Sequence, residues 1–251
     1  MYKLILSDIG FVAADTTRSK IYLQALLMSK MKPAHVFLLF SGEEKSFPGQ
    51  YVKETDERRP ELNPIIKGLG QFDLVKPINE TLLENRISFI ALHGNDINST
   101  ENVQIVEQAK ESVMIYSGFG GVILGKAILN CGKRFLHVHG GYLPHFPGST
   151  TNYYSLITNG TMGATSMFLS EQIDCGPTLV GKTFKPPENC LEIDHVYDSA
   201  MRAEVLVETL KGYQDTGCFS ASEQRSKHRN YFVIHPILKH IAIMTNYGSD
   251  I

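Results

Sequence analysis

No charge of one sign dominates this 251-residue chain: 24 Lys and Arg against 26 Asp and Glu leave a net charge of −2. Without a global positive field there is no electrostatic means of gathering nucleic acid or an anionic membrane surface, so any phosphate contact has to be local. Long hydrophobic runs are missing as well. No stretch reaches the roughly 18 apolar residues that a membrane span needs. The opening MYKLILSDIGF meets Asp8 before it can build the uncharged core of a secretion signal, so no leader is expected. Cysteine is scarce and dispersed: Cys131, Cys175, Cys190 and Cys218 form no Cys-x-x-Cys pair. That spacing argues against a disulfide framework and a zinc ribbon, and it suits a reducing, cytoplasmic setting. Cys175 is set apart only by its neighbour Asp174. There is no internal repeat and no low-complexity segment. What is present, 43% hydrophobic and 20% charged residues, is the composition of a folded globular protein.

Short apolar runs alternate with helical patterns. KLIL (3–6) reads as a strand, residues 16–32 as a largely buried helix and HVFLLF (35–40) as a second strand, which makes one right-handed βαβ unit. Residues 41–77 mix charges, prolines and glycines and read as a solvated excursion. The pattern resumes with helices at 79–86, 101–110, 120–130 and 150–160 and strands at 87–93, 112–117 and 134–139. Strands alternating with helices predict an α/β fold, a Rossmann-like open and mostly parallel sheet covered on both faces. Two further strands, 163–171 and 176–184, follow. A long amphipathic segment, 193–213, then buries Val196, Ala200, Ala203, Val205, Leu206 and Leu210. In the remaining tail only YFVIHPILKHIAIM (231–244) has apolar content worth burying, as a strand or helix sealing the sheet. The expected division is a catalytic domain over 1–190 with a short C-terminal extension, helix and tail, over 191–251.

The stretch RFLHVHGG (134–141) is the most informative. Side chains alternate faces along a strand, so Phe135, His137 and His139 share one side while Leu136 and Val138 take the other. A lone histidine at such a place is more often a core or capping residue. Two on one face, roughly 6 to 7 Å apart, suit metal ligation or joint handling of a proton. Gly140 and Gly141 then end the strand and admit a close approach to the backbone, at a carboxyl end where open α/β sheets bind ligands. Further on, GSTTNYY (148–154) reads as a helix cap at Ser149 or Thr150.

HVHGGYLPHFPGS, followed by GATSMFLSEQIDCGPTLV and preceded by VMIYSGFGGVILGKAIL, resembles the folate-dependent formyltransferases, which act on glycinamide ribonucleotide, methionyl-tRNA or nucleotide sugars. The likeness is good over 113–180, weak over the first βαβ unit and absent from the tail. It implies that His139 takes the place of the family's catalytic histidine, Asp174 that of its aspartate and His137 that of its asparagine, the last being a departure. In the family the histidine and asparagine hold the oxyanion formed when an amine attacks the formyl carbon of 10-formyltetrahydrofolate. The aspartate orients the histidine and helps move the amine's proton. The resemblance also places folate against Phe119, Gly120, Gly121, Val122 and Ile123, with Gly121 where the family has arginine, and against the turn containing Gln172 and Ile173. The family's Ser-Leu-Leu is Gly141, Tyr142 and Leu143 here.

The expected activity is transfer of a formyl group to an amine of a small molecule: a sugar, a nucleotide sugar or a secondary-pathway intermediate. Phosphate contacts to a tRNA acceptor would call for a large basic C-terminal domain, so a tRNA acceptor is not expected. Two alternatives stand beside it: a metal-dependent hydrolase using His137, His139 and Asp174 as ligands, and a non-catalytic ligand-binding relative. The expected partners are the small-molecule amine and a second copy of the chain in a homodimer, with neither nucleic acid nor membrane, and no metal in the preferred reading.

Overall fold

The computed structural model describes residues 4–40, 65–66, 70–224 and 230–248. Most of the solvated excursion expected at 41–77 therefore lies outside the described residues. The chain forms two compact units, residues 1–136 and 137–251.

In the first unit β1 (Leu4–Leu6) pairs in parallel with β3 (Met31–Pro33) as a small ribbon. The main sheet begins instead at β2 (Ile9–Ala14), followed by α1 (Thr17–Met28) and β4 (His35–Leu39). This corrects the expectation of a first sheet strand at 3–6. The reason is burial: all six residues of Ile9–Ala14 are enclosed, whereas Ile5 is 53% exposed. Gly10 permits this packing, since a β-carbon there would lie 2.6 Å from Met114 Sδ. A short antiparallel pair, β5 (Ile65–Ile66) and β6 (Gly70–Gln71), precedes α2 (Ile78–Glu84), β7 (Ser88–Ala91), α3 (Thr100–Glu107), β8 (Val113–Ser117) and α4 (Lys126–Leu129). The helix expected over 120–130 is thus confined to its last turn. Gly121 adopts a left-handed φ of 80°, and the Asn98 side chain accepts the Gly125 N–H and donates to the Ile123 carbonyl, holding 121–125 out of helix.

Strand β9 (Arg134–His139) passes from the first unit into the second, which adds α5 (Thr151–Asn159), β10 (Met162–Phe168), β11 (Thr178–Phe184), a π-turn at Ile193–Tyr197, α6 (Asp198–Thr216) and α7 (Pro236–Tyr247). The seven-stranded sheet has the order β11-β10-β9-β8-β2-β4-β7. Four of its pairings, β2 with β4 and with β8, β4 with β7, and β8 with β9, are parallel, while β10 and β11 form an antiparallel hairpin. From β7 to β9 the order is that of a doubly wound dinucleotide fold, reversing at β2. This is the mostly parallel, Rossmann-like α/β architecture that the alternation predicts. The face expected over 193–213 is buried throughout: Val196 lies in the π-turn, and Ala200, Ala203, Val205, Leu206 and Leu210 lie on α6, which packs on β10 and β11. Helix α7 packs on α5 rather than on a strand and leaves Ile237 65% exposed.

Candidate active site

The end of β9 places His139 inside the second unit, only 5% exposed, and leaves His137 half-buried. Its glycines are required by the protein's own atoms. A β-carbon at Gly140 would lie 2.3 Å from the Arg202 guanidinium, and one at Gly141 would lie 2.5 Å from the Phe146 carbonyl and 2.7 Å from His139 Nε2. The space that the sequence suggests for a ligand is thus filled at both positions by side chains and a backbone carbonyl. The loop then turns through a cis Leu143–Pro144 peptide. Thr165, buried on β10, holds it: its hydroxyl accepts the Leu143 N–H at 3.0 Å and donates to the Gly141 carbonyl at 2.8 Å. The Thr151 hydroxyl donates to the Gly140 carbonyl.

Both ring nitrogens of His139 face acceptors. Nε2–H donates to the Phe146 carbonyl at 2.7 Å, and Nδ1 lies 3.4 Å from Asp174 Oδ1. Both neighbours can only accept, so both are satisfied only when each nitrogen carries a proton; in the neutral ring the shorter contact keeps the one proton on Nε2 and leaves Nδ1 facing the carboxylate without one. A proton delivered between Nδ1 and Oδ1 would find an acceptor on either side. Asp174 itself sits at a left-handed φ of 53°, and its other oxygen accepts the Gly148 N–H at 2.7 Å. Asx side chains tolerate this conformation better than most.

Burial pulls the His139 pKa below its ordinary 6.5, aided by the Arg202 guanidinium and opposed by Asp174, the Phe146 carbonyl and Asp198. A histidine whose native pKa is depressed leaves the unfolded state binding more protons once the pH falls below about 6.5. Its contribution is therefore neutral above that pH and destabilising as pH drops toward the native value. Melting temperature followed from pH 8 to pH 5 is expected to decline, and the decline should be shallower in His139→Gln; equal slopes would show that another group carries it.

Arg202 donates to the Val138 carbonyl at 3.3 Å and pairs with Asp198 at 2.8 Å; Asp198 in turn accepts from the Asn152 amide at 3.0 Å, and the Asn152 carbonyl oxygen accepts the Gly163 N–H. The expected cap at Thr150 is the residue before α5, yet its hydroxyl does not cap: it accepts the Ile234 N–H at 2.8 Å. None of Thr165, Asn152, Asp198 or Arg202 is singled out in the sequence. Thr165 lies in the stretch GATSMFLSE and Asn152 in GSTTNYY, but neither pattern marks the residue itself.

The residues expected against folate occupy both units. In the first, Phe119 and Val122 are half-buried, Gly120 and Gly121 exposed, and Ile123 is 64% exposed, an apolar edge held out by Asn98. In the second, Gln172 and Ile173 are exposed on the turn that leads to Asp174, and the Gln172 carbonyl accepts from Ser170 and from the Cys175 N–H. Cys175 is exposed. The hydrolase reading meets an obstacle in the donor set: His139 has both nitrogens engaged within the protein. Among the described residues no three His, Cys, Asp or Glu side chains converge as a metal-binding group.

An α/β sheet of doubly wound order, with a buried histidine–carboxylate pair at a strand end, defines a class. Its members place chemistry at the carboxyl edge of the sheet. The family model described as formyl transferase matches residues 24–200, and the chain belongs to that family. A methionyl-tRNA formyltransferase of Desulforamulus reducens is 24% identical over 147 residues, which are 57% of this chain and 45% of that protein; the chain thus spans about half the length of this curated relative. Among solved structures, a 4-N formyltransferase from Francisella tularensis superposes with a TM-score of 0.57 at 14% identity, covering 95% of this chain and 87% of the other. A sugar 3N-formyltransferase solved with dTDP and 5-N-formyl-THF gives a TM-score of 0.53 at 14% identity, covering 90% and 69%. At these identities the structural likenesses concern the fold.

Proposed function

We propose that this chain is an N-formyltransferase that moves the formyl group of 10-formyltetrahydrofolate to an amine of a small molecule, a sugar or nucleotide sugar. The observation that supports it is the pairing of His139 Nδ1 with Asp174 at 3.4 Å, on the two motifs through which the chain resembles its family. The acceptor class rests on the sugar formyltransferases that share the fold, and the donor on the formyl-folate present with one of them. The apolar edge of Val122 and Ile123 has the character that a pterin ring would lie against. The donor supplies the one-carbon group; the chain's own residues hold the reacting atoms and move one proton.

The roles follow from motif position and from the contacts of the His139 ring. The half-buried His137 stands where the family has its oxyanion-binding asparagine and is assigned the formyl oxygen, while His139 Nε2–H is bonded to the Phe146 carbonyl. A neutral imidazole has one N–H to aim at a developing oxyanion. The amine nitrogen bonds to the formyl carbon as the C=O π pair moves onto oxygen; that oxyanion then re-forms C=O as the bond from the carbon to N10 breaks. His139 and Asp174 accept the proton the amine loses, between Nδ1 and Oδ1, and return it to N10 as it leaves.

The test is formyl transfer from 10-formyltetrahydrofolate to a panel of amino sugars and nucleotide-linked amino sugars. His137→Asn is expected to retain or raise turnover, because an amide restores the family's donor. His137→Ala should lower it by roughly 10²- to 10³-fold, the usual consequence of losing one oxyanion donor. A folded His137→Asn protein without activity would show that the imidazole has a task an amide cannot perform. No transfer to any amine by the unaltered chain would remove the reading itself.

A further inference from the structure

Gln224 lies beyond the residues matched to the family, in a tail whose sequence promises little. Its side-chain amide Nε2 donates to two backbone carbonyls at once, those of Asp174 and Gly176, each at 2.8 Å. These two groups bracket the turn whose left-handed residue is Asp174, so one amide closes the turn around Cys175. Gln172, Ile173 and Cys175 in this turn are exposed. Gln224 is itself held in place by Ser222, which exchanges both backbone hydrogen bonds with Thr178 on β11. On the other side of residues 225–229, Tyr231 donates its N–H to the Pro147 carbonyl and accepts the Ser149 N–H, bracketing the Gly148 whose N–H goes to Asp174. Segments flanking 225–229 thus grip both the turn that bears the carboxylate and the loop that follows the imidazole.

We infer that Gln224 is a positioning residue for the His139–Asp174 pair, acting by clamping the Asp174 turn through its two carbonyls. The inference rests on the formyltransferase reading for its kinetic consequence, but not for its geometry. A carboxylate held at 3.4 Å from Nδ1 is useful only while the turn keeps its conformation, and displacement of a catalytic group by about 1 Å can slow turnover on the order of 10²-fold.

Gln224→Met keeps the volume of the side chain and removes both donors. Two readouts are compared with the unaltered chain: the titration of the His139 imidazole followed by NMR on histidine-labelled protein, and kcat and KM for formyl transfer. The groups facing this ring are Asp174, Asp198, Arg202 and the Phe146 carbonyl, and of these only Asp174 is released by the substitution. His139 is expected to titrate at lower pH, and kcat to fall by roughly 10- to 100-fold with KM nearly unchanged. Gln224→Asn, whose shorter amide reaches fewer of the two carbonyls, should fall between and guards against a Met variant that folds poorly. An unmoved His139 titration together with an unmoved kcat in a folded Gln224→Met protein overturns the inference. Should the unaltered chain transfer no formyl group while Gln224→Met still shifts His139, the formyltransferase reading fails and the positioning role stands. Should transfer occur and be indifferent to Gln224, the reverse holds.

Discussion

Asp174→Asn is expected to fold like the unaltered chain and to transfer formyl groups roughly 10²- to 10⁴-fold more slowly, the range associated with losing a general acid–base partner. The asparagine carbonyl oxygen can still accept the Gly148 N–H, and its NH₂ can donate to Nδ1 of the neutral His139 ring, so the side chain keeps both of its connections. What disappears is the negative charge by which, in the proposed mechanism, the pair accepts a proton from the attacking amine. Asp174→Ala should be equally slow and also less stable. It removes the acceptor of a backbone N–H, a loss of about 1.5 to 3 kcal/mol when the acceptor is charged. It also puts alanine at a φ of 53°, a conformation that costs an ordinary residue about 1 to 2 kcal/mol. Steady-state kinetics with chemical denaturation of the two variants separate the effects. An Asp174→Asn protein with near-normal turnover would mean that the proton travels by another route and that Asp174 is there to build the turn.

Gly176→Ala is expected to produce a large loss of stability for a single added methyl group. A β-carbon at Gly176 would sit 1.9 Å from the Phe168 carbonyl oxygen, and both are backbone positions with no side chain to rotate away. Overpacking of this kind costs about 1 to 3 kcal/mol and occasionally more, and in a chain of this size about 3 kcal/mol corresponds to a melting point lower by roughly 6 to 12 °C. Because Gly176 supplies one of the two carbonyls held by Gln224, formyl transfer should fall along with stability. Gly212→Ala provides the contrast. Gly212 lies within α6 with no atom near its missing β-carbon, so alanine there should raise stability by about 0.5 to 1 kcal/mol through helix propensity alone. Thermal melts of both variants check the pair of expectations; a neutral Gly176→Ala would mean that the hairpin between β10 and β11 shifts without cost.

Much of the architecture is legible in local pattern. All six positions expected to be buried over 193–213 are buried, and the five on α6 are so because a 3.6-residue period survives whatever the helix packs against. The strand bearing His137 and His139 is likewise found at Arg134–His139, its two faces readable from alternation. Local reading fails where two segments compete or where a distant side chain intervenes. Leu4–Leu6 and Ile9–Ala14 are both apolar, and only the neighbours Met114 and Phe37 against Gly10 decide which enters the large sheet. Residues 120–125 have a helical hydrophobic pattern that Asn98 and a left-handed Gly121 override.

The sequence by itself determined the α/β class, the strand that carries the histidines and, through motif resemblance, the identity of the carboxylate to be sought. It does so because periodicity and motif spacing are properties of neighbouring residues. Only the tertiary structure decided that Nε2 of His139 is taken by the Phe146 carbonyl, that Gly140 and Gly141 make room for Arg202 and for that carbonyl, and that Gln224 grips the Asp174 turn from 50 residues away. A hydrogen bond depends on where two atoms meet in space, and chain positions separated by dozens of residues leave no periodic trace of that meeting.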